Sequence, residues 1–411
     1  MNGLLKVASW LAARPSLHTT LDTSSLPSPH FLCGSKRYVS FSSNNYLGLA
    51  SHPRLINAAR EGLERFGLAN CESRLLTGDI RIYRELESKL AAVKKKEAAI
   101  VFATGFLTNL GVLSALVRWP IMARVYGYRA KAGSFAYFSD ERNHSSIKEG
   151  IRLSGASEIV YRHCDANDLA RKLSAHPAET RVVVTDGVFS QDGDIAPLPD
   201  LLELAERYDA TVYVDDAHGT GVLGPSGGGT AEHFDVRSPR LIQMGTLSKA
   251  YGSIGGFVAA DRYVVEILRM SSYAYGFTST LPPDQAVAVA EAVDVVADEP
   301  QLRKALWDNQ RYFITQSQRI GIPIMVASTP IVPVLVGGER ECDRVSEALR
   351  YEGIHVDSVK FPAVPLNQSR LRVMLNAAHT KADIDLLLAL LQRELDHRVA
   401  SQGCVNPELA V

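Results

Sequence analysis

Short apolar runs rich in β-branched residues alternate with stretches of helical periodicity through the middle of the chain. The runs lie at residues 181–185 (RVVVT), 210–214 (ATVYV), 241–244 (LIQM) and 256–259 (GFVA), with a helical pattern over 198–208 between the first two. Strands that are apolar throughout and separated by helices indicate a parallel sheet covered on both faces. An α/β fold with a mostly parallel central sheet is therefore predicted. Beyond Pro282 and Pro283 the pattern changes to helical stretches over 284–297 and 301–319, short strands near 331–336 and 371–375, and a final amphipathic helix over about 381–398. This reads as a smaller C-terminal α+β domain (284–411), preceded by a large domain (51–283) and an N-terminal arm (1–50). No internal repeat or low-complexity tract interrupts the pattern.

The 411 residues include 44 Lys and Arg against 45 Asp and Glu, with 46% hydrophobic and 22% charged positions. That balance excludes disorder, collagen and a simple coiled coil. A formal net charge of -1 offers a polyanion no attraction, so nucleic acid is not an expected partner. The five cysteines (Cys33, Cys71, Cys164, Cys342 and Cys404) are scattered and odd in number, without CxxC spacing. They give neither a zinc site nor a disulfide framework, so no metal and a reduced, cytoplasmic compartment are expected. The longest apolar run, 386–391, is six residues, against the roughly 20 needed to cross a bilayer. No membrane span is expected. An organelle presequence and an amphipathic arm packed on the body both fit the first 20 residues, which carry Lys6 and Arg14 and no acid; the arm is the simpler reading.

Ligands of open α/β sheets bind beyond the carboxyl ends of the strands, which directs attention to the residues that follow each run. RVVVT is followed by Asp186-Gly187-Val188-Phe189-Ser190, ATVYV by Asp215-Asp216-Ala217-His218-Gly219, and LIQM by Gly245-Thr246-Leu247-Ser248-Lys249. An aspartate at the end of a buried strand is costly to keep ionised unless it meets a cation, and a protonated pyridine nitrogen is one. His218 can bond a phenolic oxygen on the same ring, and Lys249 can form an imine with an aldehyde. Ser190, Thr246 and Ser248 supply hydroxyls for a phosphate, and Thr104-Gly105-Phe106, before an apparent helix through Leu110, supplies N–H groups at a positive helix end. Together these make a site for pyridoxal 5'-phosphate. Singly, Asp215 could be a helix cap, His218 a turn histidine and Lys249 a solvated surface lysine; the agreement of three consecutive strand ends carries the reading. Neither GxxxxGK[ST] nor a well-placed GxGxxG occurs, and the glycines of Gly224-Pro225-Ser226-Gly227-Gly228-Gly229 do not open a helix after a strand.

With those residues in place, the chain from about Ser40 to Leu391 resembles the α-oxoamine synthases, fold-type I pyridoxal-phosphate enzymes that include 8-amino-7-oxononanoate synthase and serine palmitoyltransferase. The resemblance is carried, in order, by Asn44-Asn45-Tyr46-Leu47-Gly48-Leu49, Ser73-Arg74-Leu75 with Gly78, Thr104-Gly105-Phe106, and Ser139-Asp140-Glu141-Arg142-Asn143-His144-Ser145-Ser146-Ile147. It continues through Asp215-Asp216-Ala217-His218-Gly219-Thr220-Gly221, Thr246-Leu247-Ser248-Lys249, Thr278-Ser279-Thr280-Leu281-Pro282-Pro283, and Leu371-Arg372 with Ala377-Ala378-His379-Thr380.

The resemblance implies that Lys249 is the imine lysine, that Asp215 partners the pyridine nitrogen, that His218 bonds the ring oxygen and that His144 stacks on the ring. It implies that Gly105, Phe106, Ser190 and Thr246 hold the phosphate, with Thr278 and Ser279 reaching it from the second subunit of a homodimer with shared active sites. Arg372 is expected to take the substrate carboxylate, because its planar fork matches that group. Asn45 (the choice over Asn44), contributed from the neighbouring chain, and Ser73 complete the expected substrate site. The implied reaction condenses an α-amino acid with an acyl thioester, with loss of CO2, to give an α-amino ketone in the manner of 8-amino-7-oxononanoate synthase. A serine palmitoyltransferase-like or secondary-metabolite oxoamine synthase is the alternative, and an aminotransferase the next, because fold does not fix reaction. The retained Lys249 argues against a non-catalytic paralogue.

The chain departs from the family in three places. Where many members are glycine-rich it reads Gly67-Leu68-Ala69-Asn70-Cys71-Glu72, so that Glu72 either selects the amino acid or faces solvent. Ile80 and Tyr83 stand where the family often has two histidines. Residues 117–134 form a longer, basic segment with Arg118, Arg124, Arg129 and Lys131, read as a loop that either meets the phosphates of coenzyme A or an acidic carrier or packs on its own aromatics.

Overall fold

The structure, a computed structural model, describes residues 3–12, 21–25, 27–129, 133–326 and 328–402. Helix α1 (Gly3–Ala12) precedes a hairpin of β1 (His30–Cys33) and β2 (Lys36–Ser40), then α2 (Pro53–Phe66) and α3 (Arg81–Val93). The central region runs β3 (Ala98–Phe102), α4 (Gly105–Val125), β4 (Phe135–Asp140), α5 (Ser145–Ser154), β5 (Ser157–Tyr161), α6 (Ala166–Ala175), β6 (Thr180–Asp186) and α7 (Leu198–Arg207). It continues with β7 (Thr211–Asp215), α8 (Thr230–His233), β8 (Leu241–Thr246), β9 (Gly256–Ala260), α9 (Arg262–Ser271) and α10 (Tyr273–Gly276). The remainder is α11 (Pro283–Asp298), α12 (Pro300–Ile320), β10 (Ile331–Gly337), α13 (Glu339–Tyr351), β11 (Ile354–His355), β12 (Asp357–Val359), β13 (Ser369–Met374) and α14 (Lys381–Gln402).

Strands β3 to β9 form one seven-stranded sheet in the order β3-β9-β8-β7-β6-β4-β5. Only β9 is reversed, antiparallel to both β3 and β8, and the other pairs are parallel. The period of two along each strand divides its side chains between two layers. Val182, Val184, Tyr213 and Ile242 pack with residues of α4, α5 and α9, whereas Val183, Val212 and Val214 pack with α6 and α7. Both faces are covered, which is why the runs are apolar throughout. Each strand extends past its apolar run into the polar residue that ends it: Asp186 on β6, Asp215 on β7 and Thr246 on β8.

Residues 30–46 of the expected arm are tied to the C-terminal unit. Strand β2 pairs parallel with β11, so β1, β2 and β11 form a three-stranded sheet, and β10, β13 and β12 form another. Phe41 stacks on His379 at 4.1 Å, and the Met374 N–H donates to the Phe41 carbonyl. Residues 30–46 are thereby built into the C-terminal unit. The first helix beyond the expected boundary, α11, packs on α2 and α3 and so bridges the two units. Its approach is close: a Cβ at Gly62 would lie 2.9 Å from the Asp284 Cα.

Helix α4 continues to Val125, through Pro120, where a loop was expected from Val117. Among the described residues it is the one helix long and apolar enough, by length and composition, to cross a membrane. Thr108, Asn109, Gly111, Val112, Leu113, Ser114 and Ala115 are nevertheless buried in the protein, and a polar buried face identifies a core helix. The four described cysteines, Cys33, Cys71, Cys164 and Cys342, are free.

The Ser73-Arg74 pair of the sequence pattern contributes to architecture. The Arg74 side chain is fully buried, donating to both Glu87 oxygens (2.6 and 3.2 Å) and to Asp79. Glu87 also accepts from Arg269 at 2.7 Å and from the Val101 N–H at 2.9 Å, which ties α3 to β3 and α9. Removing one partner of a buried pair costs about 3–5 kcal/mol, because the remaining charges lose their compensation. Glu87→Ala is expected to lose stability of that order, read as a large fall in the urea midpoint; an unchanged midpoint would show that water replaces the carboxylate.

Candidate active site

Asp186 and Asp215 end adjacent strands in register, side by side at the carboxyl edge of the sheet. Asp215 is only 4% exposed. Its carboxylate accepts from the Asn109 side-chain amide at 2.6 Å and from the Ala217 N–H at 3.0 Å. Asn109, on α4, also donates to the Ser146 hydroxyl at 2.8 Å, and its carbonyl accepts from the Tyr213 hydroxyl at 2.6 Å. Burial pushes the Asp186 carboxyl well above the usual carboxylate range and the neighbouring Asp215 pushes it further, against the His144 N–H that donates to it at 2.9 Å. Lys249, three residues beyond the end of β8, is half-buried. Burial lowers its amine to about 8, against the pull of Asp215 and Asp186 and with the push of Arg372. Electrostatics thus couple the amine and both carboxyl groups in one site.

Both histidines are held neutral and in defined tautomers. His218 is 8% exposed, and burial, with the charges of Lys249 and Arg372, drives its pKa well below the ordinary value. Its Nδ1 lies 2.7 Å from the Tyr46 hydroxyl. Tyr46 is itself buried and burial keeps its phenol protonated; among the described hydrogen bonds Nδ1 is the one acceptor within reach of that hydroxyl, so the phenol donates to it. The His218 proton then sits on Nε2. His144 caps α5, with Nδ1 2.7 Å from the Ser146 hydroxyl and 3.3 Å from the Ser146 N–H. Because the Ser146 N–H donates to Nδ1, that nitrogen is an acceptor, the Ser146 hydroxyl donates to it as well, and His144 too carries its proton on Nε2. Burial lowers the His144 pKa, Asp215 raises it and Lys249 lowers it, for a net depression.

Thr104 caps α4 by accepting from the Leu107 N–H at 3.1 Å. Among the described hydrogen bonds none uses the N–H of Gly105 or Phe106, so the helix opens on two unspent donors. Thr246 is adjacent: a Cβ on Gly105 would lie 3.0 Å from its Oγ1. The Thr246 hydroxyl meets Ser248 Oγ at 2.8 Å and the Gly255 carbonyl at 3.0 Å. Arg372, on β13, donates to the Ser190 carbonyl at 3.3 Å, and its buried Nε has no partner in the described structure. β13 brings this guanidinium to the loop after β6.

Other expected residues are placed differently. Asn45 spends its side chain locally, donating to the Pro27 carbonyl and accepting from the Ala50 N–H, both at 3.3 Å. In Asn44, by contrast, Oδ1 is buried without a partner. Ser73 donates to the Gly276 carbonyl at 2.7 Å and accepts from the Leu75 N–H at 3.1 Å, so its hydroxyl is spent on the backbone. That bond holds the Ser73 segment to the end of α10, next to Thr278 and Ser279, which make no described hydrogen bond to Gly105, Thr246 or Lys249. Glu72 is half-buried and accepts from the Ser73 N–H at 2.7 Å, and Tyr83 is fully buried on the Leu281 carbonyl. Val117, Trp119, Pro120 and Ile121 line one pocket with Phe135 and Thr180, the first residues of β4 and β6. The basic segment therefore begins at the opposite edge of the sheet from Lys249; Arg118 stacks on Tyr273 at 4.0 Å, and Lys131 lies outside the described residues.

Asp140, His163 and Cys164 cluster closely enough to hold a metal ion. Both His163 nitrogens are already bonded to carboxylates, Asp140 at 3.1 Å and Asp194 at 2.7 Å. Burial alone would lower its pKa, but those bonds prevail and raise it to about 12, so the ring is an imidazolium and not a ligand. Sequence reasoning missed Asn109, Tyr46 and Asp186 as site residues. Asn109 had one signal, an amide amid the apolar residues of a helix.

The model of the family described as aminotransferase class I and II matches residues 36–391. An 8-amino-7-oxononanoate synthase of Bacillus subtilis is 41% identical over 380 residues, 92% of this chain and 93% of that protein. A serine palmitoyltransferase solved with pyridoxal phosphate as internal aldimine superposes with a TM-score of 0.87 at 29% identity, covering 98% of this chain and all of the other. An 8-amino-7-oxononanoate synthase of Francisella tularensis gives 0.73 at 25% identity over 88% of this chain and 99% of the other. The fold is that of the fold-type I transferases, and the chain belongs to the aminotransferase class I and II family, in its α-oxoamine synthase branch.

Proposed function

We propose that this protein is a pyridoxal phosphate-dependent C-acyltransferase. It joins an α-amino acid to the acyl group of a thioester with loss of CO2, as an 8-amino-7-oxononanoate synthase does. One observation carries the reading: the buried Asp215 carboxylate and the depressed Lys249 amine share a site with two neutral histidines. The fit to the cofactor rests on unspent groups, namely the N–H donors at the start of α4 for a phosphate and the Nε2–H of His218 for a ring oxygen.

When bound, the cofactor supplies an electron sink for a carbanion at the amino-acid Cα. Asp215 keeps a proton on the ring nitrogen, and Asn109 holds the carboxylate in place. His218 would donate from Nε2 to the ring oxygen, and His144 would lie against the ring. Lys249 would hold the aldehyde carbon, and its amine would move the proton at the amino-acid Cα. Gly105, Phe106, Ser190 and Thr246 hold the phosphate, with Thr278 and Ser279 contributed by a second copy. Arg372 takes the substrate carboxylate with its unspent Nε, and Asn44, whose carbonyl has no partner, replaces Asn45 as the substrate-facing amide.

Exposed apolar side chains around that segment, Leu75, Tyr273 and Phe277, support a homodimer in which each copy covers the other's site. The free cysteines fit a cytoplasmic enzyme. The serine palmitoyltransferase superposition supports a longer acyl chain as the second reading. Presented with alanine and pimeloyl thioester, or serine and palmitoyl thioester, the protein is expected to release CO2 and an amino ketone from one pair; amino transfer to a keto acid without thioester would make it an aminotransferase.

Three outcomes test the roles. Lys249→Ala removes the visible band of the lysine-bound aldehyde and lowers turnover by at least about a thousandfold; a variant retaining both sinks the assignment. After removal of the cofactor, wild-type protein takes up added pyridoxal phosphate at a rate rising with pH and levelling above about 8, because only the uncharged amine attacks. A rate that keeps rising past about pH 9, without levelling, would refute the depressed amine. Tyr46→Phe removes one hydrogen bond worth about 1 kcal/mol, so kcat is expected to fall roughly fivefold while Arg372-dependent KM for the amino acid holds. An unchanged kcat would show that His218 keeps its tautomer unaided.

A further inference from the structure

The glycine run Gly224-Pro225-Ser226-Gly227-Gly228-Gly229 and the first lysine after α3 have no part in the chemistry above, yet they meet directly behind it. Lys94 is fully buried, and its Nζ donates to Asp216 Oδ2 at 2.6 Å, to Thr220 Oγ1 at 2.8 Å and to the Gly228 carbonyl at 2.9 Å. All three ammonium protons are spent. Asp216 also accepts from the Thr230 hydroxyl at 2.6 Å and from the Thr230 N–H. Its backbone carbonyl takes the Gly219 and Thr220 N–H groups, and its own N–H donates to Met244 on β8. The turn tied down in this way, 216–220, has His218 at its centre and Asp215 as its preceding residue.

The glycines make room for this arrangement. Gly229 has φ +98°, and a Cβ there would fall 1.7 Å from Asp216 Oδ2 and 2.6 Å from Lys94 Nζ. The Lys94 backbone is fixed in turn by the Gln243 amide, which donates to its carbonyl at 3.0 Å. A buried ion pair contributes little net stability, because desolvation offsets attraction. Its three-way geometry, which a planar guanidinium does not reproduce, is therefore the more informative property.

We infer that Lys94 is a positioning residue: its ammonium, held by Asp216, Thr220 and Gly228, sets the turn that presents Asp215 and His218 to the cofactor. The inference rests on the pyridoxal phosphate reading of the site. It does not touch the cofactor itself; it acts through the two residues that do.

The test compares Thr220→Val, Lys94→Met and the double variant Lys94→Met/Asp216→Asn, which leaves no unpaired buried charge, with wild type. Each is stripped of cofactor and titrated with pyridoxal phosphate, reading the dissociation constant, the pH midpoint of the bound cofactor's absorbance, and the melting temperature. Lys94→Met and the double variant are expected to bind at least about tenfold more weakly, with the midpoint moved by about half a pH unit or more. In the double variant the melting temperature recovers while binding does not. Thr220→Val, which keeps both charges paired, shifts the same two readings by a smaller factor and decides the matter if the lysine variants fail to fold. Wild-type affinity and midpoint in Thr220→Val or in a folded double variant overturn the inference. Wild-type protein that binds no pyridoxal phosphate overturns the reading of the site instead.

Discussion

Burial of Asp215 at the end of β7 is the constraint on which the site depends. A carboxylate removed from water must be compensated by donors and opposite charge. Here one side-chain amide, that of Asn109, does so at 2.6 Å, while the Lys249 amine feels the same charge across the site. Asn109 has no polar atom left over: its second N–H reaches Ser146 and through it His144, and its carbonyl takes the Tyr213 hydroxyl. A single amide thus connects Asp215, proposed for a ring nitrogen, to His144, proposed for the ring face. Low dielectric makes such a connected network rigid when every member is satisfied.

The other half of the site is a matter of long-range assembly. Tyr46 sits in the chain start and Arg372 on β13, yet both arrive at the edge of the central sheet. The seam that delivers them is polar and specific. Arg370, almost wholly buried, donates to Asp192, the Thr329 hydroxyl to the Gly193 carbonyl at 2.8 Å, and Arg372 to the Ser190 carbonyl. Gly193 has φ +74°, and a Cβ there would lie 2.2 Å from the Ile331 carbonyl, so the loop after β6 touches β10 backbone to backbone. The same loop carries Ser190, so the residue proposed for the phosphate and the arginine proposed for the substrate carboxylate share one mechanical unit.

Much of this was legible along the chain because it obeys local rules. Apolar runs of strand length had to be doubly covered, and their polar successors had to lie at one edge, so Asp215, His218, Thr246 and Lys249 could be named in order. Legibility failed where partners lie far apart in sequence. Nothing local distinguishes Asn45, bound to its own turn, from Asn44 with its unpaired carbonyl, or reveals that Ser73 spends its hydroxyl on Gly276. The basic stretch from Val117 looked like a loop because its charges interrupt an apolar pattern, but a helix already docked on the sheet through Asn109 and Val112 continues past them to Val125.

By itself, then, the sequence determined the α/β architecture, the edge of the sheet where chemistry gathers and the residue types able to clasp an aldehyde ring, because strand period, helix ends and the cost of buried charge act over a few residues. Tertiary structure alone decided which tautomer each histidine holds, where the chain start is built in, and that a lysine and a glycine run more than a hundred residues apart close behind Asp216. Those outcomes depend on which distant groups spend each other's hydrogen bonds, and only packing brings the groups together.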